Sequence, residues 1–363
     1  MFIPVLKFRQ SEMRAIKTVV DMLSSDIVPL FEIFQDEYMQ RYEVNEETGK
    51  FKTRKDANGR NVRIKTKPTK DDIITFDSIN DKINGKTAFI DFLRISFNKY
   101  KNFDSNAVVE GIKLRKFDYY RERVIGITNH KNFIPVISIQ NDFGNNLKIM
   151  QSLYDELKTL TNSIAVRITA ECYQQYIPLL KLLRKTDYIL FDIEETNLKG
   201  LRYDIKDFID NSFVARLILI NSPRPRDYFN KDFEECGKTS LINTDVIKSF
   251  KELGFEGFGD YCGCRDVLPS PGVAIKGSAL SLLYNYEDNA FWVNTNKNTS
   301  LGVKGFEDIK PRVMALKSYL DPTDSCLAYK KLASVKQGIY ATWIELCIIR
   351  YINQLYDNLT SWN

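Results

Sequence analysis

The sequence predicts an α/β fold, a closed (β/α)8 TIM-like barrel carrying a basic β-ribbon insertion after strand 2 and an extra hairpin plus C-terminal helices. Three observations predict it. Short β-type runs alternate with amphipathic helical stretches, which implies parallel strands joined by right-handed crossovers. Eight such strands fall within about 260 residues, which suits a closed barrel better than an open doubly wound sheet, the rival reading. No Gly-x-Gly-x-x-Gly or phosphate-loop motif follows any strand, which argues against dinucleotide and P-loop enzymes.

The strands are expected in order at Phe2-IPVL-Lys7, Ile27-VPLFE-Ile33, Thr87-AFIDF-Leu93, Phe133-IPVISI-Gln140, Ile164-AVRI-Thr169, Tyr188-ILFDI-Glu194, Arg216-LILI-Asn221 and Phe255-EGFGD-Tyr261. Each is a run rich in branched and aromatic residues of strand length. Pro4, Pro29 and Pro135 sit near strand starts, where a missing N–H costs the ladder little. Between the strands, residues 11–24, 145–161, 171–186, 201–213 and 239–254 place apolar side chains at helical spacing with polar ones opposite. Beyond the eighth strand the pattern changes. Residues 272–296 read as two strands around Glu287-Asp288-Asn289, and the chain from Phe306 reads as mostly helix, ending in the amphipathic stretch 339–359. The organisation expected is one (β/α)8-type domain over 1–363, with the ribbon at 38–69 and the hairpin and closing helices at 270–363.

With 44% apolar and 27% charged residues, the chain carries enough hydrophobic material for a core and does not read as disordered. No apolar run approaches the ~20 residues needed to span a bilayer, so a cytoplasmic protein without a membrane partner is expected. Six scattered cysteines read as thiols rather than a disulfide framework. Cys262-Gly-Cys264 is a poor match to zinc spacing, and the only histidine, His130, lies before the fourth strand, at the wrong face of a barrel for catalysis. No Gly-x-Ser-x-Gly occurs, so a hydrolytic triad is not expected.

Strand side chains alternate, so the last residue of each inward row can be read off. The set is polar: Lys7, Glu32, Asp91, Ser138 with Gln140, Arg167, Asp192 with Glu194, Asn221 and Asp260, with Tyr261 adjoining. In barrels of this type the C-terminal strand ends build the active site. Glu32, Asp91, Asp192 and Asp260 are candidate acid/base groups, whose pKa would have to be raised because the set lacks a histidine. Three of these acids together would also offer Mg²⁺ its oxygen ligands; the cofactor is otherwise left open by the sequence. Lys7 and Arg167 would bind an anion, with Gln140, Glu194, Asn221, Tyr261 and Trp292 as further ligand-binding candidates. Set against this, strand ends emerge into solvent, and the charges could neutralise one another as a purely structural network.

The motifs Phe2-IPVLK, Ile27-VPLFEI, Ala88-FIDF, Ile134-PVIS, Val166-Arg-Ile and Gly259-Asp-Tyr261 resemble, in the same order, those of the beta protein family of phages, satellite phages and bacterial mobile islands. Tyr284, Trp292 and Trp343 resemble the tyrosine strand, tryptophan strand and Trp-containing final helix of that family. The chain departs from it at Asn294-Thr-Asn-Lys297, which replaces Arg-Gly, and at Arg350-Tyr351, which replaces histidines. The resemblance implies an accessory protein of a prophage or island module, associated with antiviral defence and with restraint of a companion toxic protein, as in a toxin-antitoxin pair. It carries over no established reaction.

The net charge of +5 is local. From Val44 to Lys70 nine Lys/Arg face three acids, a local +6 that leaves about −1 for the rest of the chain. Lys50, Lys52, Arg54, Lys55, Arg60, Arg63, Lys65 and Lys67 alternate with apolar residues around Asn58-Gly59, a turn signal, so a two-stranded ribbon on the mouth face is expected. Three functions follow. The first is a binding protein that recognises a partner protein from its own module, or an anionic ligand, through the mouth and ribbon. The second is a hydrolase or lyase acting on an anionic substrate with the strand-end carboxylates. The third is sequence-independent nucleic-acid binding through the ribbon.

Overall fold

A computed structural model describes residues 1–92, 105–140, 146–268, 279–296, 298–301 and 304–359. The expected positions Leu93, Asn145, 272–278, Lys297 and 360–363 lie outside the described residues. In chain order the elements begin with β1 (Phe2–Lys7), α1 (Gln10–Thr18), β2 (Leu30–Ile33), β3 (Thr53–Lys55), β4 (Asn61–Arg63), α2 (Thr75–Lys82) and β5 (Ala88–Phe92). They continue with α3 (Ser105–Leu114), α4 (Phe117–Gly126), β6 (Phe133–Ile139), α5 (Leu147–Leu160), β7 (Ala165–Thr169), α6 (Tyr173–Leu180), β8 (Tyr188–Asp192), α7 (Arg202–Asp210) and β9 (Arg216–Asn221). The chain closes with β10 (Cys236–Thr239), α8 (Asp245–Ser249), β11 (Gly257–Asp260), β12 (Leu280–Asn285), β13 (Ala290–Thr295), α9 (Lys304–Ala315), α10 (Lys317–Leu320), α11 (Leu327–Ser334) and α12 (Tyr340–Asp357).

Eight parallel strands close a barrel in the order β1-β11-β9-β8-β7-β6-β5-β2, each of the eight at its expected place. The register carries the chemistry. Lys7 pairs with Glu32 and Glu32 with Asp91, so three ionisable residues of three adjacent strands stand in one row at the C-terminal rim. On the opposite wall Ser138 pairs with Arg167. Beneath them the barrel is filled by apolar residues such as Val5, Leu30, Phe89, Ala165, Leu190 and Ile218, all buried. Closure between β11 and its neighbours requires glycine: a Cβ on Gly259 would stand 2.7 Å from the Ile3 carbonyl oxygen and 2.5 Å from Ile220 Cδ1.

The insertion forms a ribbon whose paired strands are shorter than the alternation suggested. β3 and β4 pair only over Thr53–Lys55 and Asn61–Arg63, and Asp56 Oδ1 closes the turn by accepting the N–H groups of Asn58 (2.8 Å) and Arg60 (2.9 Å). Isolated bridges Tyr42 to Lys65 and Val44 to Phe51 extend it toward the barrel.

The predicted helix at 239–254 is corrected. Its first residue belongs to β10, which adds a third, antiparallel strand to the β12–β13 hairpin, and the helix is only Asp245–Ser249. Thr239 there pairs with Phe291, so sheet pairing claims the start of the segment and delays the helix to Asp245. This small sheet is tied to the rim at Gly263, whose φ of +77° and a Phe291 ring atom 2.5 Å from a would-be Cβ admit no other residue without displacement. α12 packs against both β12 and α1, so the last helix closes onto the first βα unit. Its buried Arg350 donates to the carbonyl oxygens of Tyr284 (2.9 Å) and Leu320 (2.5 Å), tying helix, hairpin and α10 together.

Candidate functional site

Two constellations stand at the C-terminal rim. The first is built by the strand ends. Arg167, at the penultimate inward position of β7, directs its whole guanidinium to partners within the barrel. Its Nε and Nη2 reach Asp192 Oδ2 (2.8 and 2.7 Å), Nη1 reaches Glu32 Oε1 (2.7 Å) and Asp91 Oδ2 (3.0 Å), and Nη2 also donates to the Tyr261 hydroxyl (3.0 Å). Tyr261 donates in turn to Glu32 Oε1 (2.7 Å), and Lys7 Nζ bridges Glu32 Oε2 (2.5 Å) and Asp266 Oδ1 (2.7 Å). Ser138 donates to Asp91 Oδ1 at 2.5 Å, and the Glu194 N–H donates to Asp192 Oδ1 at 2.8 Å.

These groups are buried, with Glu32 and Asp91 at 0% exposure. Burial alone would raise the Glu32 carboxyl, but Lys7 and Arg167 hold it below its ordinary value. Asp266 behaves likewise: burial opposes its charge, and Lys7 with Arg226 holds it well down. For Asp91 burial prevails over Arg167 and Ser138, and its carboxyl is pushed up. Lys7 is held above its ordinary value because Asp266 and Glu32 outweigh its desolvation. The arrangement is a closed ionic plug. Chemically it fixes the barrel mouth and the register, since a buried network is costly to half-dismantle. Of the acids considered for Mg²⁺, Glu32, Asp91 and Asp192 are bridged by a guanidinium instead, and among the described residues no group of three or more His, Cys, Asp or Glu is arranged to hold a metal.

The structure corrects the parity of two strands. Phe258 contacts Phe250 of the α8 end outside the barrel, so Asp260, two residues on, faces outward, and so does Asn221, its register partner. The inward row of β11 is Gly257 and Gly259, and Tyr261 completes it. Glycines leave no side chain from which to read direction, which is why the sequence misplaced Asp260. Asp260 is buried against α12, accepting the Cys262 N–H at 2.7 Å and the Tyr351 hydroxyl. Burial pushes its carboxyl to about 6, against the opposing pull of those two hydrogen bonds. Tyr351, one of the departures noted in the sequence, thus serves this strand end. Asn221 leaves its buried Oδ1 without a partner.

The remaining candidates disperse. Gln140 and Glu194 are half-buried past the ends of β6 and β8, and Glu194 breaks strand alternation with a φ of +53°. Trp292 lies on the small sheet, donating to Asp288 Oδ2 (2.8 Å) beside Lys238 and Tyr319, away from the plug. His130 packs on Phe76 and Phe133, before β6 as expected. Lys50, Lys52, Arg54, Lys55, Arg60, Arg63, Lys65 and Lys67 are all exposed on the ribbon.

The second constellation was not read from the sequence. A cleft of about 40 Å³ between the rim and α12 is lined by Arg9, Arg224 and Arg265 together with Leu282, Tyr340 and Trp343. The arginines follow β1, β9 and β11, and Arg224 and Arg265 pair as a parallel bridge that continues the ladder beyond the strands. Arg9 is held by Glu12 (2.7 Å), Arg224 donates to the Tyr228 carbonyl (3.1 Å) and Asn230 Oδ1 (3.2 Å), and Arg265 to the Arg226 carbonyl (3.1 Å). Yet Nε of all three, and the Trp343 indole nitrogen, are buried with no partner among the described residues. All four are donors. Burial, reinforced by Arg265, lowers the Arg224 pKa and Tyr340 opposes it; among the described residues its hydrogen bonds go to a carbonyl and an amide oxygen, not to a carboxylate. The sequence signal that would have found them is Ser222-Pro-Arg-Pro-Arg226, an arginine stiffened by two prolines directly after a strand end. Reading only to each strand's last residue stopped short of it.

Among the described residues no helix is long and apolar enough to cross a membrane. No curated protein and no solved structure matches the chain. A family model described as Beta protein matches residues 2–356, from β1 into the last turn of α12. The match takes in the barrel, the insertion, the small sheet and the closing helices together, and the chain belongs to the beta protein family.

Proposed function

We propose that this protein is an accessory binding protein of a phage-related defence or toxin-control module, and that it recognises an anionic group, free or carried by a partner protein, in the cleft of Arg9, Arg224 and Arg265. One observation carries the reading: a guanidinium at 4% exposure, without a carboxylate, beside a second arginine and three further orphaned donors. Buried unpaired donors are rare, and each costs about 1–3 kcal/mol. An acceptor-only group in the cleft would offer such donors the partner they lack. The volume of about 40 Å³ corresponds to roughly three waters, enough for a phosphate or carboxylate. Tyr340, Trp343 and Leu282 give an adjoining apolar or aromatic body a surface. The strand-end carboxylates favour binding over hydrolysis, because Glu32, Asp91 and Asp192 are each committed to Arg167.

The test is thermal unfolding with inorganic phosphate, and separately with a nucleoside monophosphate, for the wild type and Arg224→Met. Phosphate at ten times its Kd should add about 1.4 kcal/mol to the wild type. Arg224→Met removes an uncompensated buried charge, so without anion it should be as stable as the wild type or more so, while losing the anion response. If the cleft serves a partner, the protein encoded beside it co-purifies with the wild type, phosphate displaces it, and Arg224→Met loses it. An Arg224→Met protein that is strongly destabilised, or that keeps both the anion response and the partner, would sink the reading.

A further inference from the structure

The ribbon stands on a different part of the molecule and owes nothing to the arginine cleft. Its eight cations at 50, 52, 54, 55, 60, 63, 65 and 67 are all exposed, and among the described residues only Lys52 of them is paired with an acid, Glu43 at 3.6 Å. Asp56, the one acid between Lys50 and Lys67, is consumed by the turn. Cations two residues apart on one face of a strand are about 7 Å apart, within the ~8 Å Debye length at physiological salt. Their fields therefore add, which suits a polyanion over a single charge.

The apolar residues settle which polyanion. Tyr38, Met39, Val44, Phe51 and Val62 are all exposed along the same insertion, with Phe51 at 47%. Arg63 lies over the Phe51 ring at 4.2 Å and the Tyr42 ring at 5.7 Å, and the two rings meet edge to face at 5.8 Å. This is a planar cation layered on aromatics, bordered by lysines. Unpaired bases stack on such surfaces, whereas an acidic protein surface offers carboxylates and no stacking face. Duplex bases are already stacked on each other. We infer that the ribbon binds single-stranded nucleic acid, with Lys50, Lys52, Arg54 and Lys65 on phosphates and Phe51, Tyr42 and Arg63 as the stacking platform, without sequence preference.

The experiment is fluorescence anisotropy on the full chain with labelled mixed-sequence single strands of about 12 nucleotides, within the 4–16 that one such module covers. Four phosphate contacts predict a log–log salt slope of about −2.8, a loss of about 50-fold between roughly 50 and 200 mM salt. Lys52→Glu with Arg54→Glu should abolish binding. Phe51→Ala should weaken it about fivefold or more while leaving the salt slope unchanged, because stacking releases no counterions. All three positions are exposed, so unfolding temperatures should stay at the wild-type value, and Arg224→Met should bind the strand normally. The inference is overturned if binding is absent at low salt, insensitive to salt, or unchanged in the charge-reversed variant. It is equally overturned if duplex DNA or polyglutamate competes as well as the single strand.

Discussion

Replacing Arg167 with methionine should be among the most damaging single changes available to this fold, and its pH dependence identifies the cause. The guanidinium compensates three buried carboxylates at 2.7–3.0 Å, on Glu32, Asp91 and Asp192, and hydrogen-bonds Tyr261. Methionine fills much of the volume, so the loss is electrostatic. Removing one partner of a buried ion network costs about 3–5 kcal/mol. At about 2.1 cal/mol/K per residue over 363 residues, unfolding entropy near Tm is about 0.8 kcal/mol/K, giving a fall in Tm of roughly 4–6 °C. Without the cation the carboxyls of Glu32 and Asp91 lose an influence that lowers them, and both rise in the folded state. A raised folded pKa stabilises fully below the unfolded value and is lost as pH rises, so the deficit against the wild type should be small near pH 4 and grow toward pH 7. Scanning calorimetry across that range, with Arg167→Lys as the control that keeps the charge but loses the fork, makes the comparison. A deficit under about 1 kcal/mol at pH 7, or one independent of pH, would refute the view of the mouth as an ionic plug.

Three further outcomes follow from the same geometry. Asp260 is held at about 6 against an ordinary 3.8, so it contributes stability below about pH 4 that is lost as pH rises through 6. Asp260→Asn should therefore gain on the wild type by about 3 kcal/mol between pH 4 and 7 in chemical denaturation, and a flat difference would argue against the shift. Gly263→Ala meets a φ of +77° and the Phe291 ring, and should cost about 2–4 kcal/mol; an alanine tolerated without loss would mean the small sheet is not docked there. Tyr120 accepts the buried Ser138 N–H at 2.8 Å, so Tyr120→Phe should cost about 1–3 kcal/mol and speed exchange of the Ser138 amide, which hydrogen-exchange NMR would register.

How much was legible depended on whether the signal was local. The eight strands could be read because alternation of strand and helix is written residue by residue, and a parallel barrel follows from it by chain connectivity. The inward row at Lys7, Glu32, Asp91, Arg167 and Asp192 could be read because strand alternation is local too. The same rule failed at Asp260, where Gly257 and Gly259 erased the pattern, and at Asn221, which ends a strand whose apolar residues from Leu217 to Ile220 are buried on both faces; at 239–254 pairing with β13 claims only the first residue, Thr239, and the helix is confined to Asp245–Ser249. The family was legible as ordered short motifs spread over the whole chain.

What the sequence determined alone was the element order, the polar rim and the confinement of positive charge to one insertion. Whether that rim is open or sealed was a tertiary matter, because the four hydrogen bonds of the Arg167 side chain reach four different strand ends that no spacing brings together. The arginine cleft was tertiary for the same reason. Arg9 lies more than half the chain away from Arg224 and Arg265, and only barrel closure, which sets β1 beside β11 and β11 beside β9, gathers three like charges under one helix.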